Sequence, residues 1–163
     1  MNELNGYDIE DLEVGMTAVF SKTITEADIV LFAGASGDNN AIHINENFAK
    51  TTIFGGRIAH GFLTASTISA AIANRLPGPG TIYLEQSMRF LGPVRPGDTV
   101  DATVTVKVLN REKCQAVLAT TCSVGDRIVV EGEARVKTTS TARRANRALA
   151  RHLGDNKLAA VGQ

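Results

Sequence analysis

The chain is expected to fold as an α+β domain in which one antiparallel sheet curls around a central buried helix. Three observations predict this. Residues 60–76, "HGFLTASTISAAIANRL", read as a helix with apolar or small residues on every side, and a helix without a charged face is normally buried. From residue 82 onward the apolar period changes to two, in long strands separated by short turns. The 163 residues, 44% of them hydrophobic, suffice for the core of one domain and are too apolar for a disordered chain.

"MTAVFSKTI" (16–24) reads as a strand. "TEADIVLFAGAS" (25–36) reads as a helix, with Thr25 and Asp28 spaced as a capping box. Residues 35–45, "ASGDNNAIHIN", read as a loop, after which Asn45 caps a short helix, "ENFAKTT", that ends at Gly55-Gly56. After the helix at 60–76, Pro77 and Pro79 make "LPGPG" a loop. "TIYLEQSMRF" places Ile82, Leu84, Gln86, Met88 and Phe90 on one strand face, and "PVRPGD" (93–98) is a turn. "TVDATVTVKV" alternates Val100, Ala102, Val104, Val106 and Val108 with polar residues; "QAVLATTCSV" (115–124) and "RIVVEGEARVK" (127–137) complete an antiparallel meander. Near residue 140 the composition shifts. A domain over 1–140 is followed by an Ala/Arg-rich segment, 141–163, where Arg143, Arg144, Arg147 and Arg151 recur at helical spacing, as in an exposed helix with a loose tail.

Composition excludes several roles. Lys plus Arg number 17, as do Asp plus Glu, and neither this balance nor the 5% aromatic content suits a nucleic-acid partner. The acidic start "MNELNGYDIEDLEVG" has no apolar run of the signal-peptide kind. The longest stretch free of charged residues, Ile58 to Asn74, is too short and too polar to span a bilayer, so no membrane role is expected. Cys114 and Cys122 form no C-x-x-C and no zinc spacing; they read as small buried thiols in a reducing cytoplasm.

Two stretches carry candidate chemistry. In "GDNNAIH", Asp38 and His43 stand five positions apart. Their reference pKa values, about 3.9 and 6.5, make one a ready base near neutrality and let the other exchange a proton. A five-residue turn can bring both to one water, and Asn40 could orient one of them. The alternative reading is a plain polar turn followed by a hydrogen-bonded core histidine. In "GGRIAHGF" (55–62), glycines open directly into the predicted central helix. The first N–H groups of a helix have no internal partner and carry partial positive charge, and Gly61 lets a ligand approach the backbone closely. A carbonyl oxygen seated there would be polarised. The alternative is a simple helix start with His60 as a structural neighbour. An Asp/His pair with such a donor suits addition of water to a carbonyl-conjugated double bond.

"FAGASGDNNAIHINENFA" resembles the hydratase 2 motif of the MaoC-like (R)-specific enoyl-CoA hydratases, in which an aromatic residue leads to G-D-x-N-P-x-H and a small residue follows. The matching positions are Phe32, Gly37, Asp38, Asn40, His43 and Ala49, with Ala41 in place of the usual Pro. "GRIAHG" (56–61), "LPGPGTIYLEQSMRF" (76–90) and "PVRPGD" (93–98) are also similar to that family, and the likeness runs over roughly residues 15–138. The resemblance implies a hot-dog fold, a homodimer with acyl-CoA tunnels near its interface, and reversible hydration of a trans-2-enoyl-CoA to the (R)-3-hydroxyacyl-CoA. It makes Asp38 and His43 the catalytic pair and Gly61 the oxyanion donor. Asp38 is favoured as base and His43 as proton donor, although sequence does not fix roles within a coupled pair. No metal or other cofactor is implied; the CoA thioester is the substrate. Ser69 and Ile72 fall where the family bounds the acyl pocket, and the β-branched Ile72 leads to an expected preference for acyl chains of about four to six carbons. Arg57, Arg89, Arg95 and Lys107 are candidates for CoA phosphates. Hot-dog domains also include thioesterases and acyl-CoA-binding modules, which remain the competing readings.

Overall fold

The computed structural model describes residues 5–146. Its elements are β1 (Thr17–Thr23), α1 (Glu26–Ser36), α2 (Ala41–Ile44), α3 (Glu46–Ala49), α4 (Gly61–Asn74), β2 (Ile82–Phe90), β3 (Thr99–Asn110), β4 (Gln115–Val124) and β5 (Arg127–Lys137). The strands form one antiparallel sheet in the order β1-β3-β4-β5-β2, curled around α4 as the α+β reading anticipates.

The expected meander holds for β3, β4 and β5 only, because β2 lies at the far edge against β5. The turn before β3 explains the crossing. Gly97 donates its N–H to Ile24 O (2.7 Å), and Ile24 donates to Asp98 O (2.9 Å). This fastens the turn just past the end of β1, so β3 starts opposite β1 with Thr99 facing Thr23.

α1 begins as its sequence predicts: the Thr25 hydroxyl accepts from Asp28 N–H, and the Asp28 carboxylate accepts from Thr25 N–H at 2.8 Å. Such a cap contributes about 1 kcal/mol. It ends at Gly37, whose φ of 78° is a left-handed conformation suited to glycine.

α4 differs from the expectation of burial on every side. Leu63, Ile68, Ala71 and Ile72 are buried against the sheet, where α4 packs on β1, β3 and β4. Burying each large side chain contributes about 1.5–3 kcal/mol. The opposite face, with Phe62, Ser66, Ser69 and Ala73, is exposed. It carries no charge, so sequence alone does not distinguish it from core. The concave side near β2 lies beyond the helix, and Ile82, Leu84 and Phe90 remain 57%, 42% and 48% exposed.

Bulges revise two predicted strand faces. A register shift between Val106 and Val108 turns Val108 outward, leaving it 55% exposed, while Leu109 packs against the core. A shift between Tyr83 and Glu85 likewise breaks the regular alternation of β2.

The C-terminal segment is less free than its composition implies. Residues 141–146 are helical, and Arg144 holds the buried Asp8 through paired bonds of 2.7 and 2.6 Å. These bonds hold the Asp8 carboxyl well below the usual carboxylate range. Ser140 adds a bond to Glu10 (2.5 Å), clamping this segment to the N-terminal one. The predicted continuation through Arg147 and Arg151 lies outside the described residues. Among the described residues, no helix is long and apolar enough to cross a membrane.

Candidate active site

The loop expected at 35–45 contains a four-residue helix, α2. Asn40 caps it, its side-chain oxygen accepting from Ile42 N–H at 3.3 Å. Asn40 thus braces the helix that carries His43. Ala41, where the family usually has Pro, is the first helical residue, a position that Pro favours but does not require.

His43 is 6% exposed. Its Nδ1 lies 2.9 Å from Ile58 O, and a carbonyl only accepts, so Nδ1 carries the hydrogen and neutral His43 presents a bare Nε2. That nitrogen faces the Asp38 carboxylate across 4.0 Å. Asp38 is half exposed, and its Oδ1 accepts from Asn40 N–H at 3.2 Å in a tight local turn. The gap between Nε2 and Oδ2 is too wide for a direct hydrogen bond and suits one water accepted by both groups.

Burial is the main influence on His43 and lowers its pKa from the ordinary histidine value. The bond to Ile58 O and the nearby Asp38 carboxylate work in the opposite direction, whereas His60 adds to the lowering. His43 thus rests neutral, with Nε2 open to a proton.

Gly61 is the first residue of α4, and no side chain caps this end. A Cβ at Gly61 would lie 2.8 Å from the Phe90 ring, so glycine lets β2 close over the helix start. His43, Gly61 and Thr64 share an apolar cleft of about 450 Å³ with Phe54, Ile58, Phe90, Leu91 and Val130. Phe62 and Phe90 meet edge to face at 5.6 Å, joining the exposed face of α4 to the cleft wall.

The structure thus brings Asp38, His43 and Gly61 together, but does not bring Ser69 and Ile72 to this cleft. Ser69 is on the exposed face of α4, and Ile72, 1% exposed, belongs to the core beneath. Successive helical positions turn by roughly 100°, which separates Ile72 from the stripe of Ser69 and Ala73. Among the proposed phosphate contacts, Arg57 pairs with Glu26 (2.6 Å) and Glu46 (3.3 Å), tying α1 to α3. Arg89 pairs with Glu131, and Arg95 donates to Phe54 O at 2.5 Å. Lys107 is exposed on β3.

Sequence reasoning gave His60 no task, yet its ring stacks on His43 at 3.9 Å. Asp38, His43 and His60 also have potential metal-ligating atoms within 4.8 Å of one another.

A domain model described as "MaoC like domain" matches residues 11–128. An (R)-specific enoyl-CoA hydratase of Rhodospirillum rubrum is 55% identical over 127 residues, covering 78% of this chain and 88% of the relative. A 3-hydroxybutyryl-CoA dehydratase of Methylorubrum extorquens is 52% identical, covering 83% and 86%. Among solved structures, an R-hydratase of Pseudomonas aeruginosa in the unliganded form superposes with a TM-score of 0.79 at 42% identity, covering 83% of this chain and 87% of that one. The (R)-hydratase of A. caviae gives 0.76 at 43% identity, covering 79% and 98%. With this match extending from the N-terminal segment into β5 through the Asp38–His43 loop and the start of α4, the chain belongs to the MaoC-like family.

Proposed function

We propose that the protein is an (R)-specific enoyl-CoA hydratase that reversibly adds water to short trans-2-enoyl-CoA thioesters, converting crotonyl-CoA to (R)-3-hydroxybutyryl-CoA. The observation that carries this reading is the Asp38 carboxylate facing a bare His43 Nε2 across 4.0 Å, beside the open start of α4. The thioester oxygen sits on Gly61 N–H, where charge developing on it is stabilised. One water donates its hydrogens to Asp38 and His43 and directs its oxygen at C3. As the C3–O bond forms, His43 Nε2 takes the water's proton and the C2–C3 π electrons move onto C2 and the thioester carbonyl. The imidazolium, stabilised by Asp38, then returns the proton to C2 on the same face. The reaction is redox-neutral, and proton transfer with carbonyl polarisation suffices without a cofactor.

A spectrophotometric assay with crotonyl-CoA, with chiral analysis of the product, tests the reading. Loss of the conjugated enoyl absorbance with formation of the (R)-alcohol is expected. Release of free CoA thiol would identify a thioesterase, and binding without turnover an acyl-CoA-binding module.

Because burial lowers the His43 pKa, the neutral base persists below the ordinary histidine value. The acid limb of kcat/KM is therefore expected below about pH 6.5, activity falling only as pH drops through the lowered value. A limb at or above that pH would contradict His43 as the base. Asp38 and His60 are the titratable groups that act on it.

We infer a homodimer in the cytoplasm. The uncharged face of α4 and the edge strand β2 adjoin, and both expose Phe residues next to the cleft. Two copies joined edge to edge through β2 would cover this surface and complete the cleft wall. Sedimentation is expected to give a dimer or a multiple of one; a fully active stable monomer would contradict the pairing. The buried free thiols Cys114 and Cys122 accord with a reducing compartment.

A further inference from the structure

We infer that His60 is a positioning residue that fixes Asp38 and His43 relative to each other, an inference that rests on the hydratase reading. His60 is 1% exposed and is the N-cap of α4, yet its side chain does not cap that helix. It reaches instead to a residue 22 positions away: its Nε2 lies 2.9 Å from the Asp38 main-chain oxygen. A carbonyl only accepts, so Nε2–H is the donor. Among the described residues, the other hydrogen bonds of Gly37 to Asn40 stay within the local chain, for example Asp38 N–H to Ser36 Oγ (3.2 Å) and Asn39 N–H to Gly37 O (3.1 Å). The His60 bond is therefore what attaches this exposed loop to the interior.

The same ring stacks on His43 at 3.9 Å and packs against Phe32 of α1 at 5.0 Å. One buried imidazole thus touches both members of the pair and is covalently joined to Gly61. Its Nδ1 is buried and has no hydrogen-bond partner among the described residues. An apolar ring would avoid leaving that nitrogen unsatisfied; what it could not supply is the N–H for Asp38 O. Keeping imidazole here is accounted for by holding the 4.0 Å gap that one water must bridge.

The test compares His60→Phe, which keeps the ring and loses the donor, with His60→Gln, which restores an N–H near the place of Nε2. His60→Phe is expected to lower kcat for crotonyl-CoA about 10²-fold, the cost of a small misplacement of reacting groups, with KM little changed. His60→Gln is expected to recover most of the loss. A folded His60→Phe variant with wild-type kcat, or equal impairment of both variants, would overturn the inference. Should His60→Phe not fold, nitrogen-detected NMR of the wild type decides the point. A neutral His60 protonated on Nε2 is expected, and protonation on Nδ1 alone would overturn it. Failure of wild-type turnover would instead refute the hydratase reading.

Discussion

Asp38→Asn and His43→Ala are each expected to lower kcat for crotonyl-CoA hydration by about 10²–10⁴-fold, the usual range for a positioned acid–base group. The two substitutions fail for different reasons. Asn at position 38 still presents an oxygen to the water but loses the negative charge that stabilises the imidazolium. Ala at position 43 removes the proton acceptor itself. KM is expected to move little in Asp38→Asn, because the Gly61 N–H and the apolar cleft walls are untouched, and more in His43→Ala, which removes part of the cleft wall. Asp38 is half exposed and makes local bonds, so its replacement leaves the fold intact. His43 is buried and bonded to Ile58 O, so His43→Ala also leaves a small cavity and an unpaired carbonyl. Circular dichroism and thermal melting separate that loss of stability from the loss of turnover. Near-wild-type hydration by both folded variants would remove the pair from the mechanism.

The largest expected effect on stability is at Gly132. Gly132 sits in β5 opposite Met88 of β2 and Thr120 of β4. A Cβ there would fall 1.9 Å from the main-chain oxygen of Ser87 and 2.9 Å from Met88 Cα. Both are backbone atoms, so no rotamer change relieves the clash and β2 must move away. Gly132→Ala is expected to cost about 3 kcal/mol, at the upper end for overpacking. For a domain of this size that lowers Tm by about 6–12 °C. Because β2 carries Phe90 over the cleft, kcat/KM is expected to fall with stability. A thermal melt unchanged from wild type would show that the two strands are not packed this closely in solution.

The difference between these two sites shows what was legible in the sequence. Asp38 and His43 are five residues apart on one turn, so their meeting could be read from spacing, and the resemblance to a known motif supplied a partner in Gly61. Gly132 looks like any glycine in a strand, because its reason is the backbone of β2 more than forty positions earlier. Ile72 failed for a related cause: helical spacing relates it to its neighbours on α4 but does not say which stripe meets the sheet. The cap that Asn40 forms on α2 was not legible either, because the stretch 35–45 has the composition of a turn.

The sequence by itself determined the strands and the helices α1, α3 and α4, the caps at Thr25 and Asn45, the buried stripe of β3 as far as Val106, and the candidate pair. These are set by residues a few positions apart, through backbone propensity and periodic burial. Only the tertiary structure decided that β2 crosses to the far edge, that bulges turn Val108 outward, that Arg144 locks onto Asp8, and that His60 joins Asp38 to His43. It also decided the tautomer and the burial of His43, since the bond from Nδ1 to Ile58 O and the loss of water around the ring come from chain segments brought together by folding. Burial and hydrogen-bond partnership are properties of neighbours in space, and sequence specifies those only through the whole packing solution.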